Sequence, residues 1–542
     1  MVIIGPALLI TPRLENSLMR AITKLLSVSL LSALISACSS TGSSPDQSNI
    51  ALEQKIRQTA QASLQAFNIP GLAVVAVQDG KIILAEGFGI RDLANQEPVT
   101  ADTLFGIASH TKAFTAAAIG QLVAQGKVNW NDKVIQHLPE FRLADASLTE
   151  KITIRDLLSH RTGLGLGAGD LMIWPNTDKT SEQLLAGVAH LPIEQDLRQG
   201  FAYNNLMFVA AGLLIERVTG MPYAQYIGKN FFQPLQMDNS VVGFDNLKPN
   251  NTNVAIGHID YHGEVYRFPL DYLQDFAAAG ATLSSVDDMG NWLLTLLNEG
   301  KSPNGEQVIA SEQLAQMWQL TTPLPVRHKP GQQSTHFRGY GMGWFVKDYH
   351  GVKHISHSGG ILGMLSLTTL IPEKNFAITV LSNQQAFQGL TTVTEEALEQ
   401  VLNLPDTDWL ALQTKQYQKF MQHKNSFKLK PADNKAAALA LKHYVGKYQD
   451  NWYGEVTVQQ QADQLHISFD HTEILKGVLE HYDGNTFVVR WNEPLLEADA
   501  YIRFTAADNG KINSATMEAI ADFTDFSFDF HNLQLIKKVI KQ

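Results

Sequence analysis

The chain alternates between segments of helical and of strand-like hydrophobic spacing, and this pattern predicts most of its elements. Residues 51–67 carry apolar side chains at helical intervals, which predicts an amphipathic helix. Two short apolar runs follow at Leu72–Val77 and Ile82–Ala85, and the Asp-Gly pair between them predicts a β-hairpin. The Ala-rich run Ala113–Ile119 predicts a buried helix, because nearly all of its side chains are apolar.

Strand patterns return after a mostly helical middle region, between Trp344 and Ser382. Met364–Ile371 and Phe376–Leu381 are apolar-rich runs joined by a Pro-Glu-Lys-Asn turn, which predicts a second hairpin. Strands at both ends of one region, with helices between them, indicate that its N- and C-terminal parts share one sheet. We therefore expect an α/β fold in which helices flank an antiparallel sheet.

The pattern changes again after about residue 405. A polar stretch rich in Gln and Lys, Asp406–Lys430, predicts a helical linker, and short alternating strands separated by turn residues follow it. These strands are predicted at Glu455–Val458, Leu465–Phe469, Thr486–Trp491 and Tyr501–Phe504. We expect a main domain over 51–404, a helical linker over 405–440 and a small all-β, barrel-like domain over 441–542.

The N-terminal segment has a different character. Arg20 and Lys24 precede a short apolar run that ends near Cys38, the single cysteine of the chain. A charged start, an apolar core and a small-residue cleavage site are typical of a secretory signal. The apolar run is too short and wrongly flanked for a permanent membrane span. Ile35–Cys38 resembles a bacterial lipoprotein signal, in which the cysteine is lipidated and becomes the mature N-terminus.

This resemblance implies a lipid anchor at Cys38 and a place in the bacterial cell envelope. Ser39 after the cysteine, rather than Asp, resembles lipoproteins of the outer membrane that face the periplasm. We therefore expect a signal segment over 1–38, with Met19 as an alternative translation start, and a flexible tether over 39–50. The alternatives are an ordinary cleaved signal or a buried thiol.

Composition and charge narrow the classes of function. The 542 residues are 44% hydrophobic and 18% charged, which is typical of globular domains with a substantial core. The formal net charge of −11, without basic clusters, argues against a nucleic acid partner. The sequence carries no phosphate-binding Gly loop, no His-Glu-x-x-His and no Gly-x-Ser-x-Gly, and we predict no cofactor.

Ser109 and Lys112 form a Ser-x-x-Lys motif where a loop meets the Ala-rich helix. Residues three apart on a helix share one face, so the amine can reach the hydroxyl. A serine hydroxyl becomes a good nucleophile when a base removes its proton, and a buried lysine held neutral can do so. The motif predicts acyl transfer through a covalent serine intermediate. Alone, it also fits a helix cap followed by a surface lysine.

Two further polar groups strengthen this prediction. Tyr203 and Asn205 precede the helical run Phe208–Arg217. The phenol can shuttle protons where a nearby cation lowers its pKa, and the amide can orient a substrate carbonyl. His357–Gly360 lies on a predicted strand, and its glycines let the backbone approach a substrate closely. The alternatives are an N-cap beside a half-buried tyrosine, and a Gly-rich strand end with a solvated histidine.

In this order and spacing, the three motifs resemble those of the serine β-lactamase/penicillin-binding superfamily, in its class C-like branch. That branch also holds D-amino-acid peptidases and esterases. The resemblance covers residues from about 50 to 400 and includes the segments Ile152–Leu164, Phe201–Gly220 and Ala278–Met289. It implies an antiparallel sheet flanked by helices, with an all-helical subdomain. The barrel-like end resembles the lipocalin-like modules that often follow this branch.

The resemblance implies a serine hydrolase of the cell envelope. Ser109 would be the nucleophile, and Lys112 would accept its proton during acylation. Tyr203 would assist proton transfer to the leaving group or from the deacylating water. The substrate would be a small molecule or peptide with an ester, amide or D-amino-acid peptide bond.

The same resemblance names the substrate contacts. Asn205, His357 and Gly359 would bind the substrate, and the backbone N–H groups of Ser109 and Gly360 would form the oxyanion hole. True class C β-lactamases carry Lys where this chain has His357, a residue mostly neutral at pH 7. This departure favours an ester, amide or peptide substrate over a β-lactam. The alternatives are a β-lactamase proper, or a penicillin-binding or sensor protein that is acylated without turnover.

Two other histidine positions invite interpretation. His258, Asp260 and His262 alternate on a predicted strand, so two imidazoles and a carboxylate could face a metal ion. We favour a polar hairpin face turning at Gly263, because no outlying further ligand is evident, and we predict no metal site. His160 is predicted to be structural rather than catalytic.

Overall fold

The computed structural model describes residues 45–248, 250–268, 276–326, 335–432 and 439–539. The predicted signal segment 1–38 with Cys38 lies outside these described residues, as does the first part of the predicted tether 39–50. The remainder of that tether is helical, because the first helix begins at Pro45. The helices are α1 Pro45–Ala66, α2 Thr111–Ala124, α3 Val134–His137, α4 Ala146–Thr149, α5 Ile154–Leu158, α6 Ser181–Val188, α7 Leu206–Thr219, α8 Tyr223–Ile227, α9 Ala277–Gly280, α10 Val286–Leu297, α11 Ser311–Met317, α12 Phe387–Leu402 and α13 Trp409–Ser426.

The strands fall into an N-terminal group and a C-terminal group. The first group is β1 Gly71–Gln78, β2 Lys81–Gly89, β3 Phe105–Gly106, β4 Val241–Val242, β5 Gly257–Tyr261, β6 Glu264–Phe268, β7 Thr282–Ser284, β8 Thr322–Leu324, β9 Arg338–Tyr340, β10 Phe345–Tyr349, β11 Val352–Ile361, β12 Met364–Ile371 and β13 Phe376–Ser382. The second group is β14 Gly446–Gln449, β15 Glu455–Gln461, β16 Gln464–Phe469, β17 Thr472–Asp483, β18 Thr486–Trp491, β19 Ala500–Ala506, β20 Ile512–Ala519 and β21 Leu535–Lys537.

The main sheet has eight antiparallel strands in the order β2-β1-β13-β12-β11-β10-β9-β8. The N-terminal hairpin joins the C-terminal strands through β1 and β13, where Val75 lies opposite Thr379. Alternate residues of β1 face opposite sides of the sheet. Val75 packs into the core that contains α2 and α10, whereas Val74 packs into a second core formed with α1 and α12. Helices therefore cover both faces, which confirms the predicted flanked antiparallel sheet.

The C-terminal strands β14–β21 close into a barrel. The barrel closes where β14 pairs with β21, with Tyr448 opposite Lys537. Large aromatic side chains fill its interior, among them Tyr448, Phe469 and Trp491. This confirms the small all-β, barrel-like domain predicted from the alternating strands.

The segment 520–534, between β20 and β21, contacts the loop 163–172 of the main domain through side chains described below. Among the described residues, no single helix is long and apolar enough to cross a membrane. One sharply bent pair, Leu206–Thr219 with Tyr223–Phe232, reaches the required length and composition only when its two parts are counted together.

Candidate active site

Ser109 lies in a one-turn 3₁₀ helix, Ala108–His110, that leads directly into α2. Ala108 has a φ of +50°, a left-handed conformation that is uncommon for a residue with a side chain. The turn is held from the sheet by Ser366, whose Oγ donates a 2.7 Å hydrogen bond to the carbonyl of Ile107. Ser109 therefore stands at the N-terminal end of α2, in a sharp turn that is fixed from both sides.

Lys112 is fully buried beside this serine. Its Nζ lies 3.0 Å from Ser109 Oγ, 2.7 Å from Asn205 Oδ1 and 2.6 Å from the carbonyl oxygen of Ala279. Burial lowers the pKa of Lys112 to about 7, against the opposing charge of Asp170. A neutral amine keeps two N–H donors and one lone pair. The two carbonyl oxygens can take both donors, which leaves the lone pair for the hydroxyl proton of Ser109.

Tyr203 is hydrogen-bonded to the Ser109 side chain, and its ring centroid lies 5.0 Å from Lys112 Nζ. Sequence reasoning required a nearby cation to lower the pKa of this phenol. Burial instead raises the pKa of Tyr203. The phenol therefore stays protonated at neutral pH, so it can donate a proton to a departing group but does not serve as a phenolate base.

Asn205 positions the lysine rather than presenting its carbonyl to a substrate. Its Oδ1 accepts from Lys112, and its Nδ2 donates a 2.8 Å hydrogen bond to Asp170 Oδ2. The predicted contact with a substrate amide is thus limited to the second N–H of Nδ2. Asp170 itself was not predicted to belong to the site. It is fully buried, and burial together with the nearby Asp529 raises its pKa well above the ordinary value.

His357 does not fit its predicted role as a substrate contact. The side chain is buried, its Nδ1 lies 2.6 Å from the carbonyl of Ser358, and its Nε2 lies 2.9 Å from Tyr340 Oη. Nδ1–H therefore donates to the carbonyl, and Nε2 accepts from the phenol. Burial also lowers the pKa of His357 well below its ordinary range. The imidazole is a neutral internal link between β11 and β9, which sequence reasoning missed because Tyr340 lies on a different strand.

The two glycines after His357 differ in what surrounds them. A Cβ on Gly359 would lie 2.2 Å from the carbonyl oxygen of Ile107 and 2.9 Å from the backbone nitrogen of Ser109. A Cβ on Gly360 would meet only Leu365, at 3.3 Å. Gly359 therefore lets β11 lie directly against the nucleophile turn. The predicted contact of Gly359 with a substrate stays a prediction, as does the oxyanion hole formed by Ser109 and Gly360.

One edge of β11 is open close to Ser109. β10 pairs with β11 only from Val352 to Ser356, and the following residues lack a partner on that side among the described strands. Unpaired backbone groups on an edge strand can hydrogen-bond an extended peptide. An open strand edge therefore lies close to Ser109.

His160 supports the tyrosine loop from behind. It is buried, its ring lies 4.2 Å from that of Tyr203, and its Nδ1 accepts a 3.1 Å hydrogen bond from the backbone N–H of Asn204. Burial lowers the pKa of His160 well below its ordinary range. These contacts agree with the structural role predicted for this residue.

The alternating residues on β5 form a polar hairpin face. His258 uses both ring nitrogens inside the protein, with Nδ1 at 3.1 Å from the carbonyl of Asn383 and Nε2 at 3.3 Å from the N–H of Leu93. Asp260 accepts a hydrogen bond from Tyr417. These contacts support the polar hairpin interpretation that was favoured over a metal site.

The C-terminal barrel region contacts the loop that carries Asp170. Ser527 Oγ donates a 3.0 Å hydrogen bond to Asp170 Oδ2, and Asp529 accepts from the backbone N–H groups of Gly169 and Leu171 at 2.7 and 3.0 Å. These residues lie about 360 positions from their partners in sequence. No local spacing could have indicated them.

Comparison with known proteins shows which families the two regions of the chain match. The family model described as Beta-lactamase matches residues 56–402, and that of a domain of unknown function, DUF3471, matches residues 430–537. An unguisins hydrolase of Aspergillus campestris is 31% identical over 63% of this chain, and the match spans only 63% of the relative's own length. An unguisins hydrolase of Aspergillus violaceofuscus is 26% identical, with 82% of this chain and 84% of the relative covered.

A solved structure extends the likeness to the barrel. The octameric penicillin-binding protein homologue from Pyrococcus abyssi aligns with 89% of this chain and 99% of its own, with a TM-score of 0.57 and 22% identity. At that identity the likeness establishes the fold alone. Because the first family model covers more than half of the residues, the chain belongs to the Beta-lactamase family.

Proposed function

We propose that this protein is a serine hydrolase that works through an acyl-enzyme on Ser109. The observation that carries the proposal is the position of Lys112, which lies 3.0 Å from Ser109 Oγ while two carbonyl oxygens engage its other hydrogen-bonding capacity. Burial lowers its pKa to about 7, so a large fraction is neutral at physiological pH. A buried neutral amine facing a serine hydroxyl is an activated nucleophile pair.

The proton path follows from these contacts. Ser109 Oγ attacks the substrate carbonyl carbon while its proton passes to Lys112 Nζ. The protonated phenol of Tyr203 gives a proton to the leaving atom as the carbonyl–heteroatom bond breaks. The proton held by Lys112 then passes to the Tyr203 oxygen, which restores both groups. In deacylation, water attacks the acyl carbon and gives a proton to Lys112, and Lys112 returns that proton to Ser109 Oγ as the bond between Oγ and the acyl carbon breaks and the acid leaves.

The substrate class we propose is a neutral ester, amide or D-amino-acid peptide bond. His357 supports this choice, because its buried neutral imidazole offers no permanent charge to a β-lactam carboxylate. The open edge of β11 supports a substrate with an extended peptide backbone. We also propose that the protein is anchored in the cell envelope through Cys38, on the strength of the sequence pattern that ends there.

An active-site probe separates this proposal from its alternatives. A fluorophosphonate should label the wild-type protein on Ser109 and should not label Ser109→Ala. The wild type should also turn over short esters many times per site, whereas a sensor protein would release one equivalent and stop. A chromogenic cephalosporin should be a poor substrate beside the ester. Turnover of the cephalosporin at a rate equal to that of the ester would favour a β-lactamase instead, and unlabelled Ser109 would refute the proposed nucleophile.

A further inference from the structure

The segment of the C-terminal barrel between β20 and β21 reaches the proposed nucleophile site. Within it, Asp529 accepts hydrogen bonds from the backbone of Gly169 and Leu171, and Ser527 donates to Asp170. All of these side chains are buried. The segment is therefore fixed by hydrogen bonds to the loop that carries Asp170.

Phe526 is the exposed residue at the front of this fixed segment. Its ring is 43% exposed, whereas Ser527, Phe528 and Asp529 after it are buried. A turn holds it in place, because Ser527 donates its backbone N–H to the side chain of Asp525, and Phe528 donates to the backbone carbonyl of the same residue. The exposed ring is thus presented by a rigid backbone.

The ring of Phe526 lies against Tyr203. The two ring centroids are 6.1 Å apart, with the planes at 84°, which is a favourable edge-to-face arrangement. Gly167 permits this approach, since a Cβ there would lie 2.8 Å from Phe526 Cδ2, and its φ of +67° also favours glycine. The N–H of Gly167 donates to the carbonyl of Tyr203, which ties the tyrosine to the same loop.

We propose that Phe526 is a specificity-determining residue, which contacts the leaving-group side of the substrate and favours an apolar, preferably aromatic, group there. This rests on the proposed function, in which Tyr203 gives its proton to the leaving atom. The atoms attached to that leaving atom must pass beside Tyr203, and the exposed ring of Phe526 borders that place. An aromatic or branched aliphatic leaving group would cover the ring and remove it from water.

The test compares two esters of one acid, a benzyl ester and a 2-methoxyethyl ester, whose alcohols have similar acidity. Phe526→Ala should lower kcat/KM for the benzyl ester by about tenfold, the value expected for a lost aromatic contact in a specificity pocket. It should change the 2-methoxyethyl ester by less than about twofold. Phe526→Leu should fall between wild type and Phe526→Ala for the benzyl ester.

Phe523 provides a matched control from the same segment. Its ring packs on His423 and Phe427, at the C-terminal end of α13 and directly after it, so Phe523→Ala should leave the ratio of the two esters at its wild-type value. Thermal unfolding of each variant verifies that the domain remains folded.

The possible outcomes separate the two proposals. An equal loss for both esters in Phe526→Ala would overturn the specificity role, because it would mean that the ring only supports Tyr203. Unchanged kcat/KM values for both esters would overturn the specificity role as well. Failure of the wild type to hydrolyse either ester, with Ser109 unlabelled by the fluorophosphonate, would instead refute the proposed function and the inference with it.

Discussion

Lowering the pH through about 7 should disable the nucleophile, because the proposed reaction needs Lys112 in its neutral form. Burial lowers the pKa of this amine from an ordinary value of 10.5 to about 7, although Asp170 acts in the opposite direction. The amine is therefore protonated below pH 7 and neutral above it. The Lys112 amine, which is hydrogen-bonded to Ser109, can therefore accept the hydroxyl proton only above about pH 7.

The expected size of the effect follows from the titration curve. One pH unit below the pKa, about a tenth of the lysine is neutral, and two units below it about a hundredth. The logarithm of kcat/KM should thus rise with unit slope to about pH 7 and then level off. A lysine with an ordinary pKa would instead give a rate that climbs about tenfold per unit through pH 9.

The assay is the initial rate of hydrolysis of an uncharged ester, from about pH 5 to about pH 9. Because kcat/KM reports the free enzyme, its midpoint can be set beside the pKa of the unliganded site. Thermal unfolding at each pH verifies that the protein stays folded. An acid limb that is absent down to pH 5 would refute Lys112 as the base, and a rate that still climbs at pH 9 would refute its lowered pKa.

A second group titrates in the same range and has to be separated from Lys112. Burial raises the pKa of Asp529 to about 7. The neighbouring histidines do not interfere, since burial lowers the pKa of His160 and His357 well below their ordinary range. Asp529→Asn is therefore the control variant. If its acid limb disappears while the protein remains folded, the limb belongs to Asp529 and the assignment to Lys112 is wrong.

Three other substitutions test two parts of the site and the proposed lipid anchor. Gly359→Ala should lower kcat/KM at least about a hundredfold, because the new Cβ would meet the carbonyl of Ile107 at 2.2 Å and displace the nucleophile turn; near-normal ester hydrolysis would contradict this close packing. Asp170 raises the pKa of Lys112 only in its charged form, and burial favours its neutral form, so Asp170→Asn should move the acid limb little and only to lower pH; a move to higher pH would contradict this electrostatic coupling. Cys38→Ala should abolish metabolic labelling with a fatty acid, and an unlabelled wild type would refute the proposed anchor.

Sequence reasoning succeeded where the deciding contacts are local. The strand predicted at Met364–Ile371 has those bounds in the structure, because apolar spacing and a turn signal fix it within a few residues. The pairing of Ser109 with Lys112 was predicted for the same reason, since one helical turn brings them to 3.0 Å. Both successes depend on backbone geometry that a short segment determines by itself.

The errors and omissions involve contacts between distant segments. The imidazole of His357 was expected to contact a substrate, but it is buried, and its Nε2 accepts a hydrogen bond from Tyr340 Oη on another strand of the main sheet. Asp170 was not predicted to belong to the site, because its place there depends on hydrogen bonds from Asn205 and from Ser527, which lies 357 positions away. Hydrophobic spacing and short motifs do not indicate which carboxyl group a distant segment will bury.

The two regions matched by separate family models are linked by hydrogen bonds beside Ser109, the proposed nucleophile. A continuous path of hydrogen bonds runs from Ser527 through Asp170 and Asn205 to Lys112, and from there to Ser109. If the barrel were withdrawn, the loop 163–172 would lose the carboxylate acceptor of two backbone N–H groups. Loss of that acceptor with the barrel still in place would leave the two N–H groups buried without a partner, which costs about 1–3 kcal/mol for each group. The barrel thus contacts the loop that carries Asp170 and, through Asn205, the proposed base Lys112, so the region matched by the domain of unknown function would support the proposed chemistry without supplying a reacting atom.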